Sequence, residues 1–191
     1  MALEGLAAAL PAYATDVAAN LATALADRSL SDQQRWGCFV AAAHAVGAPA
    51  AMREIEAGAK AAGLSSRALA AARGAAAIMA QNSVYFRALG LLANPEYRAM
   101  RSGLRMRVVS HPGAPRDDFD LWCVGVAAIH GCADCLNAHE SPLRARGVAA
   151  EAVQSAIRIA AVVHAASRVL AAEAALNSAA GTQPPGLPVS T

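Results

Sequence analysis

Aromatic and charged residues are both scarce in this chain. Only 4% of its 191 residues are aromatic and 16% are charged, whereas 56% are hydrophobic and much of that fraction is alanine. Strands favour β-branched and aromatic side chains, while alanine loses almost no side-chain entropy in a helix. The composition therefore predicts an all-α fold of closely packed helices, with enough residues for one domain or for two small halves that share a core.

The sequence also lacks the features that would direct a chain to nucleic acid, to export or to a membrane. The formal net charge is +2 and no basic stripe interleaves with aromatic residues, so we expect no nucleic-acid binding. The first four residues, Met-Ala-Leu-Glu, differ from a secretory signal because they carry an acid and no positive charge. Arg, His, Asp and Gly interrupt the apolar stretches short of a membrane span, despite a mean hydropathy of +0.33. We therefore expect a soluble cytoplasmic protein that does not enter membranes.

Capping and breaking residues divide the chain into predicted helices. Ser31 is a favourable N-cap, Gly47 and Gly131 end helices, and Asp117 or Asp118 is expected to cap another. Prolines and glycines punctuate residues 91–116, which predicts a connector between two parts of the chain. The predicted helices cover approximately residues 3–10, 14–25, 32–46, 50–62, 66–80, 82–90, 117–129, 132–146, 148–164 and 165–176, and a flexible tail is expected over 177–191.

Two tryptophan-containing segments resemble each other. Trp36–His44 reads WGCFVAAAH and Trp122–His130 reads WCVGVAAIH, so the tryptophans and the histidines are both 86 residues apart. This pattern predicts a duplication, with related halves at about 1–90 and 117–176 inside a single domain over 1–176. In that register the first half has Val46 and Pro49 where the second half has two cysteines.

The two cysteines of the second half are the strongest chemical signal in the sequence. Cys132, Cys135 and His139 occupy positions i, i+3 and i+7, which fall on one face of a helix. Gly131 permits a tight turn just before them, so the cysteines should lie in a first helical turn, where the helix dipole stabilises a thiolate. His139 can take the thiol proton, and Asp120 could orient or relay to His139. The pattern predicts a redox-active dithiol.

Other functions for the same residues remain open at this point. Cys132, Cys135 and His139 could form part of a zinc site that Asp120 completes, although no second cysteine pair is present. The cysteines could also be inert and buried, and Asp120 could serve only as a charge near a helix N-terminus. A c-type haem site is excluded because Leu136 stands where that motif requires histidine.

The remaining cysteines and the tryptophans are predicted to have structural roles. Cys38 and Cys123 lie in apolar helical segments, and Trp36 and Trp122 should anchor helix packing. His130, two residues before the cysteine pair, could either cap helix carbonyls or lower the pKa of a thiol.

Several segments, in their order and spacing, resemble those of one known family. The most specific is Gly131–Glu140, GCADCLNAHE; the others are Pro11–Asp16, Gln34–Gly37, Gly74–Met79, Asn82–Arg87, Gly103–Met106 and Phe119–Trp122. Together they are similar to the alkylhydroperoxidase D family of the carboxymuconolactone decarboxylase superfamily, over about Met1 to Leu176.

The resemblance implies a helical fold of two related halves, a homotrimer, and reduction of organic hydroperoxides without haem, flavin, metal or other cofactor. By the family pattern, Cys135 attacks the peroxide and becomes a sulfenic acid. Cys132 supplies a proton and then closes a disulfide, while His139 and Asp120 form a proton relay. A lipoyl-type dithiol, carried by a 2-oxoacid dehydrogenase component, would then reduce the disulfide.

Two residues depart from the family pattern. Asp120 replaces the more common Glu, and its shorter side chain could require a water to reach its partner. Ala133-Asp134 stands where many members carry a histidine between the cysteines, and an acid pointing inward would disfavour a thiolate; His130 could compensate. Two other functions remain open: a decarboxylase-like lyase, a branch that lacks the dithiol, and a non-catalytic thiol switch.

Overall fold

The computed structural model describes residues 3–180, and every regular element in that part of the chain is helical. The predicted all-α fold is confirmed. A 3₁₀ turn covers Ala12–Ala14, between the first two of ten α-helices. In chain order the helices are α1 Glu4–Ala8, α2 Thr15–Ala26, α3 Asp32–Val46, α4 Pro49–Ala61, α5 Ser66–Leu91, α6 Glu96–Ala99, α7 Arg107–Ser110, α8 Arg116–His130, α9 Ala133–Ala145 and α10 Ala150–Ala180.

Several helix ends follow from local capping chemistry. The Ser31 side chain accepts a hydrogen bond from the backbone N–H of Gln34, and the Gln34 side chain accepts one from the Ser31 N–H, which completes a capping box. The Ser65 side chain caps α5 by accepting one hydrogen bond, from the backbone N–H of Ala68. Gly47 and Gly131 end α3 and α8 with positive φ angles of 78° and 63°.

Three predicted boundaries are wrong. Helix α5 continues through Asn82 to Leu91, because Asn82 and Ser83 are buried against the bundle and packing outweighs their low helix propensity. Helix α10 is a single element to Ala180, whereas we predicted two helices ending at residue 176; residues 181–191 of the predicted tail lie outside the described residues. Helix α8 begins at Arg116 after Pro115, so neither Asp117 nor Asp118 is its cap.

Helix α10 contradicts the expectation that every apolar stretch is too short to span a membrane. Its residues Ala150–Ser178 are long and apolar enough to span a membrane by length and composition. The helix nevertheless packs against α2, α3, α4 and α8, and it buries Ala156, Ile159 and Val163 in those contacts. These are the contacts of a core helix in a bundle.

Helices α3 and α8 form the centre of the bundle, with α5 and α10 packed on both of them. Their close approach depends on Gly37 in α3, because a Cβ atom there would lie 2.1 Å from the Trp122 ring of α8. The Trp122 indole N–H donates to the Gln34 carbonyl at 3.1 Å, which fixes the ring. Trp36 packs on Phe39 and on Gly58 of α4, so both tryptophans anchor helix packing as predicted.

Helix boundaries recur at a constant spacing in the two predicted halves. The limits of α3, α4 and the start of α5 (32, 46, 49, 61 and 66) match those of α8, α9 and α10 (116, 130, 133, 145 and 150), 84 residues later in each case. The structural spacing is two residues shorter than the 86 obtained from the tryptophan and histidine pairs. In the structural register Ala48 and Ala51 correspond to Cys132 and Cys135.

The first of the two predicted halves contains a partly buried ion cluster. Glu56 of α4 accepts hydrogen bonds from both Arg73 of α5 and His44 of α3, and Lys60 lies 3.7 Å away. The hydrogen bonds from Arg73, more than that from His44, lower the pKa of Glu56 from 4.5 to about 2 against the opposing effect of burial. This carboxylate therefore joins three helices.

Replacing Gly37 with Ala should destabilise the fold by about 1–3 kcal/mol, because the new methyl group overlaps the Trp122 ring and forces α3 away from α8. Urea denaturation followed by circular dichroism measures the effect. The matched control is Gly74→Ala in α5, whose Cβ would meet only Val108 at 3.3 Å and should have little effect or stabilise. Equal losses in both variants would contradict the packing described here.

Replacing Glu56 with Gln should cost up to about 3 kcal/mol at neutral pH, since a pKa lowered to about 2 stabilises the fold wherever the unfolded-state carboxyl is ionised. The contribution is fully present above about pH 4.5 and is lost as the pH falls towards 2. Urea unfolding at pH 7 and pH 3 should therefore show a smaller difference from the unmodified chain at pH 3. The exposed Glu54 on the same helix supplies the control, Glu54→Gln, for which a comparable loss would refute this explanation.

Candidate active site

The cysteine pair lies at the junction between α8 and α9. Gly131 ends α8, and Cys132 follows as the N-cap of α9, which begins at Ala133, one residue later than predicted. Cys132 and Cys135 are joined as a disulfide with their Cα atoms 5.3 Å apart. The Cys132 Sγ atom also accepts the backbone N–H of Cys135 at 3.3 Å. The first turn of α9 therefore presents an N–H group to the sulfur at its N-cap.

His139 and Asp120 are in direct contact beside this disulfide. The Nδ1 atom of His139 lies 2.8 Å from Oδ1 of Asp120. Asp120 is completely buried and His139 is 6% exposed. The side chain of Asp120, although shorter than that of Glu, thus reaches the imidazole directly. The bridging water that its length suggested is not needed. When Nδ1 carries the proton that it donates to Asp120, Nε2 is left free to accept a proton.

Two arginines that the sequence analysis did not identify bind the other oxygen of this carboxylate. Arg116 Nε and Arg146 Nη2 donate to Oδ2 of Asp120 at 2.9 and 2.7 Å. Burial raises the pKa of Asp120, but the hydrogen bonds from His139, Arg146 and Arg116 outweigh it, and the net pKa lies below its ordinary value. The signals were present in the spacing: Arg116 precedes Asp120 by four residues, and Arg146 follows His139 by seven.

Asp134, which stands between the cysteines in sequence, points away from them. Its carboxylate is 45% exposed and lies 3.7 Å from Arg98. A Cβ atom at Gly90 of α5 would lie 3.2 Å from its Oδ2, so the carboxylate faces the end of α5. The acid therefore does not oppose a thiolate from within the site.

The surroundings of His130 disfavour the positive charge that a compensating role would require. Burial, followed by the nearby charges of Arg87 and His164, lowers its pKa and favours the neutral ring. Its Nε2 atom is buried without a hydrogen-bond partner. Its backbone carbonyl accepts a hydrogen bond from Arg87 instead. Neither a cationic role beside the thiols nor carbonyl capping is supported by this placement.

The other two cysteines are separate from the disulfide. Cys38 and Cys123 are free and buried, and burial raises the pKa of both thiols. They are core residues, as predicted. Among residues 3–180, no three or more His, Cys, Asp and Glu side chains are grouped so that they could hold a metal ion.

Comparison with known proteins agrees with the motifs that resemble one family. A family model described as the carboxymuconolactone decarboxylase family matches residues 95–178. The alkyl hydroperoxide reductase AhpD of Hyphomonas neptunium is 51% identical over 176 residues, which cover 92% of this chain and 97% of that protein. The chain belongs to the AhpD family. The AhpD proteins of Caulobacter vibrioides (51% over 177 residues, 93% of this chain and 97% of theirs) and Streptomyces avermitilis (47% over 176 residues, 92% and 99%) support the same assignment.

Membership in the AhpD family confirms the resemblance drawn from the motifs. The alignment with these relatives spans more than nine-tenths of the chain, so the family covers both predicted halves. The family model matches a shorter stretch of the chain, which contains α8, α9 and the dithiol.

The oxidised protein should contain two free thiols, Cys38 and Cys123, and one disulfide. N-Ethylmaleimide added under denaturing conditions should therefore label two cysteines, and should label all four cysteines of the chain after reduction. Intact-mass and peptide mass spectrometry give the number and the positions. Labelling of Cys132 or Cys135 without reductant, in protein purified in air, would contradict a disulfide between them.

Proposed function

We propose that this chain is a thiol-dependent alkyl hydroperoxide reductase that uses Cys132 and Cys135 as a redox-active dithiol. The observation that carries the proposal is the disulfide at the N-terminus of α9, one helical turn from a histidine that is in contact with a buried carboxylate. Relatives that share about half of the residues are named alkyl hydroperoxide reductase AhpD.

The peroxide half-reaction starts from the reduced dithiol. His139 accepts the proton of Cys135, and the resulting thiolate attacks the terminal oxygen of the hydroperoxide. The O–O bond breaks, Cys135 becomes a sulfenic acid, and the alkoxide leaves as an alcohol after it takes a proton. Cys132 then attacks the Cys135 sulfur, the S–O bond breaks, and hydroxide leaves as water with the proton that Cys132 releases. Two electrons pass from the dithiol to the peroxide.

The reducing half-reaction requires a dithiol reductant, and a lipoyl-type dithiol is the partner we propose. A thiolate of the reductant attacks Cys135, and Cys132 leaves as a thiolate. The N–H of Cys135 already points at the Cys132 sulfur, at 3.3 Å, and this donor stabilises the negative charge of the leaving group. The second reductant thiol then releases Cys135, which restores the dithiol and forms the oxidised reductant.

The assembly and the location are part of the same proposal. The end of α5 and the connector expose several large apolar side chains, namely Val84, Leu91, Leu92, Tyr97 and Met100. Contiguous exposed apolar surface marks an interface, and we propose a cytoplasmic homotrimer in which these side chains are buried. The reaction described above uses only protein thiols and ionisable side chains, so we propose no cofactor.

A lyase activity is the second candidate, because the matching family model carries the name of a decarboxylase. Such an activity would leave the dithiol without a purpose. A thiol switch would use the disulfide but would not turn over with any dithiol. The three functions therefore differ in whether they need the two cysteines and in whether the disulfide turns over.

Tert-butyl hydroperoxide consumption with dihydrolipoamide tests the proposal. The unmodified protein should turn over, whereas Cys132→Ser and Cys135→Ser should fall to the background rate because neither can form the disulfide. Cys38→Ala should retain activity, since that thiol is buried in α3 away from the pair. Decarboxylation of carboxymuconolactone that survives both cysteine substitutions would instead identify a lyase, and a disulfide that forms without turnover would identify a switch.

A further inference from the structure

We infer that Arg116 and Arg146 are positioning residues: they bind Oδ2 of Asp120, fix Oδ1 as an acceptor for His139, and so make His139 the last group to receive the thiol proton. The inference rests on the proposed function for its kinetic consequence. The arrangement of the two arginines can be tested without any peroxide.

The two oxygens of Asp120 have separate partners. Oδ1 contacts only the imidazole, at 2.8 Å, while Oδ2 accepts from Arg116 at 2.9 Å and from Arg146 at 2.7 Å. Rotation of the carboxylate would break both arginine contacts, so the orientation of Oδ1 is fixed. Because an ionised carboxylate only accepts hydrogen bonds, this orientation selects the tautomer of His139 that carries its proton on Nδ1.

The arginines are themselves held from a second side. Arg116 also donates to the carbonyl of Val109 in α7, and Arg146 also donates to Asp117. Arg116 lies in the first turn of α8, whereas Arg146 is the C-cap residue of α9. Each arginine is therefore held by a second contact, Arg116 to α7 and Arg146 to α8.

The charges around Asp120 make its carboxylate a poor proton acceptor. The charged and titratable groups that act on the Asp120–His139 pair are Arg116 and Cys123 from α8 and Arg146 at the end of α9, and Asp117 of α8 contacts Arg146. Within residues 3–180, α3, α5 and α10 contribute no ion pair to either residue. Two guanidinium groups against one oxygen stabilise the ionised carboxylate, which agrees with the lowered pKa of Asp120.

His139 and Asp120 therefore have different roles and do not pass the proton from one to the other. A proton that leaves the dithiol is held on Nε2 of His139, while the Asp120 carboxylate stabilises the resulting imidazolium. Transfer from His139 on to Asp120 would leave two guanidinium groups beside a neutral acid, which is electrostatically unfavourable. The same proton is then available at His139 for the alkoxide.

Arg146 allows a matched experiment because Arg144 lies two residues before it on the same helix. Within the described residues, Arg144 donates a hydrogen bond to the carbonyl of Val148 and makes no ion pair with Asp120. The variants are Arg146→Met, which removes the charge, Arg146→Lys, which keeps it, and Arg144→Met as the control. Circular dichroism identifies the folded variants.

The first readout is NMR of the reduced protein, with ¹³C on Asp carboxyls and ¹⁵N on histidine rings. We expect the pKa of Asp120 to rise in Arg146→Met by about one unit, and its His139 ring to lose the pure Nδ1–H form. Arg146→Lys should restore most of both signals, and Arg144→Met should match the unmodified protein. An unchanged Asp120 titration and His139 tautomer in a folded Arg146→Met protein would overturn the inference.

The second readout is the pH profile of kcat/KM with tert-butyl hydroperoxide and dihydrolipoamide. Arg146→Met should lose roughly tenfold, the scale typical of residues that orient a functional histidine, and its acid limb should move to higher pH because loss of a positive charge favours the protonated imidazole. A uniform loss with an unshifted profile would oppose the inference. If the unmodified protein does not turn over while the NMR shifts occur, the proposed function fails and the arrangement of the arginines stands.

Discussion

The buried carboxylate of Asp120 is the group on which the geometry of the site depends. An isolated charge without solvent would cost several kcal/mol, and here three donors satisfy it: Arg116, His139 and Arg146. One donor comes from α8 and two come from α9. Docking of α9 on α8 and ionisation of Asp120 therefore depend on each other. The same docking places the cysteine pair, since both cysteines lie at the start of α9.

The sequence was sufficient to predict the chemistry that local spacing encodes. The positions of Cys132, Cys135 and His139 on one helical face, and of Asp120 on the preceding helix, required only helical periodicity and a glycine at the junction. The direction of Asp134 could not be predicted in this way, since it depends on where the end of α5 lies. The contact of Arg146 with Asp120 also depends on how closely α8 and α9 pack.

The errors in the predicted fold have a related cause. Asn82 and Ser83 have low intrinsic helix propensity, which suggested a break, but their burial against neighbouring helices keeps α5 continuous. The similarity of the two tryptophan segments gave a spacing of 86 residues, whereas helix boundaries recur after 84. In the structural register Ile55 and Trp36 correspond to His139 and Asp120. The first half thus has packed apolar side chains where the second half has its ionisable groups.

The disulfide has almost no contact with solvent: Cys132 is fully buried and Cys135 is 4% exposed. Arg87 of α5 binds the carbonyl of His130 and Arg98 of α6 approaches Asp134, so both helices border the junction. This degree of burial hinders direct collision of a large thiol-bearing molecule with either sulfur. Burial of both sulfurs therefore favours a slender electron donor that can enter the site, and it limits exchange with thiols that collide only with the surface.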